Sequence, residues 1–170
     1  MADPSLNRTQ VLQQFDGLNI WSRGEQRAPH KPLLVLLALG KLGQGVVTPI
    51  PFSEVDVKLT ALLKEFGPSR TSFHSEYPFW RLQNDGVWTI ENADKLETRA
   101  GSTDAKKSEL IKHNAHGGFS ADILQALHAD PQLIADIAHR LLNAHFPESL
   151  HPDIRDAVAL EPHLFEPPQP

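Results

Sequence analysis

The chain has 170 residues, of which 40% are hydrophobic and 22% charged, which is enough for one packed domain. It contains no cysteine, which excludes disulfides, thiolate metal sites and a cysteine nucleophile, and its longest apolar run, residues 33–39, is too short to cross a membrane. The net charge of −5 is uneven: residues 1–112 hold 14 basic and 13 acidic side chains, whereas residues 113–170 hold 2 and 8. The acidic excess therefore belongs to the C-terminal third, and the rest of the chain is free to present a basic face.

Three helices are predicted in the first 66 residues. Residues 7–15 form the first, because their apolar side chains recur at helical spacing. Pro32 suits the first position of a second helix, and residues 33–42 are apolar on nearly every face, which predicts a buried central element. Ser53 is the expected N-cap of the third helix, which ends before Gly67-Pro68.

The polar loop between the first two helices, residues 21–32, concentrates basic and titratable side chains against a single acidic residue, Glu25. These side chains are Arg23, Arg27, His30 and Lys31. The last two stand at the mouth of the second helix, where unpaired N–H groups attract anions. The loop therefore predicts a phosphate contact, and the alternative is an ordinary solvated loop.

Residues 78–90, PFWRLQNDGVWTI, predict a β-hairpin. Asn84-Asp85-Gly86 separates two short apolar runs, and such a turn is a strong hairpin signal. Alternate residues of a strand face opposite ways, so one face would pack on the helices and the other would expose aromatic rings beside an arginine. The members of the second face are Tyr77, Phe79 and Arg81. Pro78 favours an edge strand because it cannot donate a ladder bond, and the alternative is a strand buried on both faces.

The rest of the chain predicts four more helices. A short one near residues 105–112 follows a polar connector, and three others begin at Ser120, Asp130 and His151. Three helices, a hairpin and then further helices predict a mainly α chain with a small β-hairpin, that is, a winged-helix-like helical domain plus C-terminal helices. A hairpin placed after three helices often lies beside nucleic acid, although a fold alone does not give a function.

Two further loops contain groups that suit phosphate contacts. One precedes the aromatic cluster of residues 73–82, and the other follows the predicted hairpin. Their candidate residues are Arg70, Thr71, Ser72, His74, Arg99, Gly101, Ser102 and Thr103. Either loop alone is ordinary polar surface, but their position on both sides of one predicted hairpin favours a nucleic-acid interface.

Enzyme motifs are missing from the sequence. There are nine histidines, but no HExxH motif, cysteine pair or carboxylate spacing indicates a metal site. No GxSxG, P-loop or GxGxxG motif occurs either. The segment KHNAHGG, residues 112–118, contains a His-Asn pair but lacks the strand–helix pattern of an HNH nuclease. We therefore expect no metal, no cofactor and no catalysis by this chain.

Two segments together resemble a known family. RAPHKPLLVLLALGKL, residues 27–42, and SEYPFWRLQNDGVWTI, residues 75–90, are similar to the sulfur-binding domain of phosphorothioate-dependent type IV restriction endonucleases. These are McrA-like HNH proteins of bacterial defence and restriction-modification, and the resemblance extends over roughly residues 5–160. It implies a domain that binds double-stranded DNA in which a non-bridging backbone oxygen is replaced by sulfur. A separate C-terminal HNH nuclease domain then cuts the DNA.

The resemblance also implies roles for individual residues. The family's Tyr-Pro pair, which lines the sulfur cavity, falls on Tyr77 and Pro78. Arg81 stands where the family can have a small apolar residue. Either its methylene stem lines the cavity, or it contacts a phosphate and the cavity is built differently. The residues matched to the modified phosphate are His30, Lys31 and Arg99. The other expected contacts to the DNA backbone or bases are Arg23, Arg27, Arg70, Thr71, Ser72, His74, Gly101 and Ser102.

The resemblance predicts a sulfur-binding domain over residues 1–160 and a linker over residues 161–170 toward an absent C-terminal nuclease domain. We expect this chain not to be an enzyme, although its parent protein is expected to be an HNH endonuclease. The N-terminus lacks an apolar signal-peptide core, which favours a cytoplasmic bacterial protein. Two alternatives stay open: a winged-helix-type binder of unmodified or methylated DNA, and a helical protein-interaction domain.

Overall fold

The computed structural model describes residues 6–20, 22–23, 26–46, 49–68, 73–98, 100–101 and 104–160. The helices in this part of the chain are α1 (Arg8–Asp16), α2 (His30–Gly43), α3 (Phe52–Phe66), α4 (Glu76–Arg81), α5 (Lys107–Lys112), α6 (Ala121–Ala129), α7 (Gln132–His145) and α8 (His151–Ala157). The strands are β1 (Ser22–Arg23), β2 (Gln26–Arg27), β3 (Ile50–Pro51), β4 (Trp88–Ile90) and β5 (His116–Phe119). None of these helices has the length and apolar character needed to cross a membrane. The predicted linker, residues 161–170, lies outside the described residues.

Helix α2 is the centre of the fold. Its residues from Pro32 to Gly40 are all buried, and it packs against α3, α4 and α7. The helix begins at His30, two residues before the predicted start at Pro32, with Pro29 as its N-cap. Proline is tolerated anywhere in a first turn because the N–H groups there have no intrahelical partner. His30 and Lys31 are therefore first-turn helical residues and not loop residues.

Helix α3 also starts earlier than predicted. Its N-cap is Pro51, in extended backbone and without a side-chain cap, and the helix begins at Phe52, so the prediction of Ser53 as N-cap is wrong. Phe52 is fully buried, whereas Ser53 is exposed. Burial of this ring fixes the helix start, and this tertiary effect outweighs the local preference of serine for a cap.

The predicted hairpin over residues 78–90 is wrong. The first half is helix α4 followed by a 3-10 turn, Leu82–Asp85, and only Trp88–Ile90 is strand. Gly86 ends the 3-10 turn in the left-handed region, with φ of 80°. An Asn-Asp-Gly sequence reverses the chain equally well after a helix and between two strands, because both need a residue with positive φ.

Because this segment is a helix and not a strand, its buried and exposed side chains are not the ones expected from strand alternation. Pro78, Phe79 and Leu82 are buried, while Tyr77 is half-buried and Arg81 is exposed. A spacing of four residues places Tyr77 and Arg81 on the same helix face. Tyr77 and Arg81 therefore share one side as predicted, but through helical spacing and not through strand alternation. Phe79 is fully buried and belongs to the core scaffold.

The sheet is three-stranded and antiparallel, in the order β3-β5-β4, so its strands come from three distant segments. Strand β5, HGGF, was not predicted, because glycine is depleted in strands. Gly117 is needed there, since a Cβ would lie 2.8 Å from Nε1 of Trp88 and 2.9 Å from the ring of Phe79. The sheet thereby covers buried rings that contact edge to face, including Phe79 with Phe52 at 5.0 Å between centroids.

The C-terminal helices agree with the sequence predictions. Ser120 and Pro131 occupy the N-cap positions of α6 and α7 without side-chain cap bonds, and α8 begins at His151. Helix α7 packs against both α1 and α2, so the C-terminal third completes the core around the central helix. The mainly α class is confirmed.

Candidate nucleic-acid interface

Tyr77 lies in the first turn of α4, with aromatic and cationic neighbours on its ring. The His74 ring stacks on it at 4.8 Å between centroids and an interplanar angle of 21°. The guanidinium carbon of Arg81 lies 4.5 Å from the Tyr77 centroid, within cation–π range. These neighbours stand three residues before and four residues after Tyr77, the separations at which helix-like spacing brings side chains together. They hold the tyrosine ring in one orientation.

Pro78 follows Tyr77 and is buried. It is the third residue of α4, a position where its missing N–H costs no intrahelical hydrogen bond. The edge strand inferred from this proline is therefore wrong, but the rigid ring still lies directly beside the tyrosine. The two residues predicted to line the cavity come together as neighbours on one helical turn.

The turn that leads into α4 is tied to α3 and α5. Ser75, fully buried, donates a 2.6 Å hydrogen bond to Asp56 of α3, and Lys107 of α5 lies 3.4 Å from the same carboxylate. Glu76, 6% exposed, lies 3.3 Å from Nδ1 of His74. These contacts fix the start of α4, and thus the position of the Tyr77 ring, relative to the core.

Arg81 forms a two-point ion pair with Asp104. Nε donates to Oδ1 at 3.0 Å and Nη2 donates to Oδ2 at 2.7 Å. The side chain of Asp104 is only 13% exposed, whereas that of Arg81 is 47% exposed. The hydrogen bond to Asp104 raises the pKa of Arg81 further above its usual value, so the guanidinium stays charged. The sequence analysis missed Asp104, because a pair 23 residues apart leaves no local pattern.

The segment around Asp104 is the predicted second phosphate loop. Its ends are joined by an antiparallel bridge between Thr98 and Ala105 and by a 3.2 Å bond from the Lys106 N–H to the Glu97 carbonyl. Glu109 accepts the Glu97 N–H at 3.1 Å, and this bond lowers the pKa of the Glu109 carboxyl. The Arg81 ion pair therefore attaches this closed loop to the helix of Tyr77.

The structure describes only some residues of the two predicted phosphate loops. Gly101 is exposed and has φ of 71°, a conformation that favours glycine. Arg99, Ser102 and Thr103 lie outside the described residues, as do Arg70, Thr71 and Ser72 of the first predicted phosphate loop.

Part of the polar segment before α2, which was predicted to be a loop, forms the short strands β1 and β2. Arg23 and Arg27 lie in the paired strands β1 and β2, with Ser22 opposite Arg27 and Arg23 opposite Gln26. The arginine side chains lie outside the described part of the structure. Their backbone places both in one small hairpin immediately before the first turn of α2.

Lys31 is held inside the fold. Its ammonium lies 2.6 Å from Oδ2 of Asp85 and donates to the Asn19 carbonyl at 2.9 Å, and the Asn19 N–H donates to Oδ1 of Asp85. The Lys31 and Asp85 side chains are 11% and 5% exposed. This pair joins the first turn of α2, where His30 is half-buried, to the 3-10 turn that continues from α4. It brings the two predicted halves of the site together, but it occupies the lysine that was matched to the phosphate.

Comparisons with known proteins identify the family of the chain. The sequence matches the family described as the ScoMcrA-like DNA sulfur-binding domain over residues 8–163. The chain therefore belongs to this family, which is one of DNA-binding domains and not of nucleases. Family membership favours the sulfur-binding interpretation over both a general winged-helix binder and a protein-interaction domain. A search of curated proteins finds no significant match.

Several solved structures share the fold. The sulfur-binding domain of ScoMcrA complexed with phosphorothioated DNA has a TM-score of 0.80 and 21% identity, covering 91% of this chain and 98% of that chain. The sulfur-binding domain of SprMcrA, also complexed with phosphorothioated DNA, has a TM-score of 0.69 and 21% identity over 91% and 94%. The type IV phosphorothioation-dependent restriction endonuclease ScoMcrA has a TM-score of 0.75 and 22% identity, and the match covers 88% of this chain and 32% of that chain.

Proposed function

We propose that this chain binds double-stranded DNA with a phosphorothioate in its backbone and that it does so without catalysis. The observation that supports this most is the placement of half-buried Tyr77 directly beside buried Pro78 in the first turn of α4, in a member of the DNA sulfur-binding family. The guanidinium of Arg81 lies over the Tyr77 ring and supplies positive charge beside that turn.

The selectivity of such a site follows from the difference between sulfur and oxygen. A phosphate oxygen placed against an apolar surface would lose strong hydration without a replacement. Sulfur is larger, more polarisable and more weakly hydrated, and it gains dispersion and ring contacts against Tyr77 and Pro78. The site thus distinguishes the two atoms by their cost of dehydration as well as by their size.

The remaining phosphate oxygens need hydrogen-bond donors. We propose His30, Arg99 and the N-terminal end of α2 for this role, because charge-assisted donors are the strong ones. Lys31 contributes differently from the direct contact expected from sequence. Paired with Asp85, it fixes the start of α2 beside α4 and thereby positions His30. Flanking phosphates would be held by Arg23, Arg27, Arg70, Thr71, Ser72, His74, Gly101 and Ser102.

The experiment that tests this function measures dissociation constants for one duplex with and without a single phosphorothioate. We expect the modified duplex to bind more tightly by about 1–3 kcal/mol, or roughly 5- to 150-fold. Tyr77→Ala should abolish this preference and leave the weak binding of unmodified DNA largely intact, because general binding rests on phosphate contacts.

Tyr77→Phe is the matched control, since it keeps the ring and removes only the hydroxyl. It should retain the preference if ring contacts determine it. Equal affinity of the unaltered chain for both duplexes would overturn the proposed function. Incubation of either duplex with magnesium or manganese should yield no cleavage, and cleavage by this chain would overturn the non-catalytic assignment.

The proposed domain comprises residues 1–160, with residues 161–170 leading toward a C-terminal HNH nuclease domain in a longer parent protein. In this proposal the domain directs a type IV restriction nuclease to modified DNA. Because that DNA lies in the bacterial cytoplasm, we place the domain there as well.

A further inference from the structure

The edge of Arg81 that faces Asp104 is one of the two edges through which arginine can bind phosphate with two parallel N–H donors. A guanidinium binds an oxyanion most strongly through two parallel N–H donors, and a carboxylate and a phosphate compete for the same geometry. In this structure Nε and Nη2 are both engaged by the two oxygens of Asp104. Within the described part of the chain no partner is seen for Nη1 or for the second N–H of Nη2, so Arg81 keeps its end-on edge but not its Nε–Nη2 edge, and the paired carboxylate offsets its charge.

Asp104 is well placed to keep that edge engaged. Its side chain is 13% exposed, and the next residue, Ala105, is buried and bridged to Thr98. The backbone next to this carboxylate is thus anchored at the closed base of its loop. The guanidinium, by contrast, is at the surface and lies over the Tyr77 ring.

Resting on the proposed function, we propose that Asp104 is a specificity-determining residue that acts through Arg81. It occupies the Nε–Nη2 edge of the guanidinium and offsets its charge, so that a cation next to the sulfur cavity binds an ordinary phosphate less strongly. Arg81 then contributes the stem and face of its side chain to the wall beside Tyr77. A competing carboxylate of this kind is a device that disfavours the wrong ligand, which here is unmodified DNA.

The test is the affinity of Asp104→Asn for the two duplexes. Freeing the Nε–Nη2 edge of Arg81 should strengthen binding of the unmodified duplex by about tenfold, because a hydrogen bond between charged groups contributes at least this factor in affinity. The modified duplex should gain less, since its phosphate has one sulfur in place of an oxygen and offers a poorer match to two N–H donors. The ratio of the two dissociation constants should therefore fall.

Two further variants separate this role from general effects. In Asp104→Asn combined with Arg81→Met, the gain for unmodified DNA should disappear, because no guanidinium remains. Asp16→Asn removes the partner of Arg140, an exposed arginine–aspartate pair elsewhere, and makes the same change in net charge. It should shift both duplexes equally and leave the ratio unchanged. Thermal unfolding of each variant would identify any loss of folded protein.

The outcomes distinguish this inference from the proposed function. If the unaltered chain prefers sulfur but Asp104→Asn does not gain affinity for unmodified DNA, the role of Asp104 is overturned and the function stands. If the unaltered chain binds both duplexes equally, the function fails. In that case, a gain in affinity for unmodified DNA in Asp104→Asn that Arg81→Met reverses would still support the competition between Asp104 and phosphate for Arg81. The lack of such a gain would overturn the role of Asp104 together with the proposed function.

Discussion

At the scale of single residues, two ion pairs near the candidate site have different roles, one structural and one in ligand selectivity. Lys31 and Asp85 form the most buried ion pair in the described part of the chain, and they link two structural elements. Arg81 and Asp104 form a half-exposed pair, in which we propose that Asp104 limits what the guanidinium can bind. Burial separates these roles, because removing one partner of a buried pair leaves an uncompensated charge, whereas an exposed charge is solvated.

Asp85→Asn should destabilise the domain by about 3 kcal/mol, since the Lys31 ammonium would lose its buried counter-charge. Chemical denaturation measures this directly. Asp16→Asn, which breaks the pair with Arg140 whose side chains are 49% and 47% exposed, is the control and should cost less than about 1 kcal/mol. Equal effects of the two substitutions would show that the Lys31 pair does not fix the start of α2.

The residue scale also shows what sequence reasoning misses. The sequence could propose Tyr77, Pro78, His30 and Arg81 as site residues, because they lie in two short segments that resemble the family. Asp104 was not among them, and Asp85 was interpreted only as a turn residue. Their functional partners are 23 and 54 residues away, and no local spacing records a contact that the fold creates.

At the scale of elements, the helices were more predictable than the strands. Helices α1, α2, α3 and α6–α8 have apolar periods and end signals within their own sequence, and their predicted starts agree with the structure to within about two residues. Strand β5 has two glycines, and its conformation comes from its neighbours β3 and β4.

Helix α4 shows why the remaining error occurred. Its six residues are too few for a clear helical period, and an aromatic run before Asn-Asp-Gly is equally typical of a strand. Packing of Phe79 and Leu82 into the core decides between the two. The prediction that Tyr77 and Pro78 lie side by side does not depend on this choice, since adjacent residues stay adjacent in either conformation.

Helix α2 provides an element-scale prediction through its glycines. At Gly40 an added Cβ would overlap the carbonyl oxygen of Val158, whereas at Gly43 nothing lies within 4 Å. Gly40→Ala should therefore force α2 away from the C-terminal segment and destabilise the domain by about 2–3 kcal/mol.

Gly43→Ala, in the last position of the same helix, is the matched control. It should leave the free energy of unfolding unchanged or raise it by up to about 1 kcal/mol, because alanine is the better helix former. Similar stabilities for the two variants would contradict the close approach of α2 to Val158. Thermal or chemical unfolding measures both.

At the scale of the whole molecule, the binding side chains and the acidic charge lie in different parts of the sequence. Every proposed DNA contact falls between Arg23 and Asp104, within the nearly neutral first 112 residues. The C-terminal residues 113–170 hold 8 acidic and 2 basic side chains, and the described part of this stretch contains β5 and the helices α6–α8, which complete the core. A net charge of −5 is therefore compatible with a DNA-binding face, because the charge nearest the phosphates decides the interaction.

The central claim is that the sulfur of a phosphorothioate is bound by the Tyr77–Pro78 turn of α4. A crystal structure of the chain with a duplex bearing one phosphorothioate tests it most directly, because the anomalous signal of sulfur locates the substituted atom. We predict that the sulfur contacts the tyrosine ring and the adjacent proline. A modified linkage bound elsewhere, or a sulfur pointing into solvent, would contradict the claim.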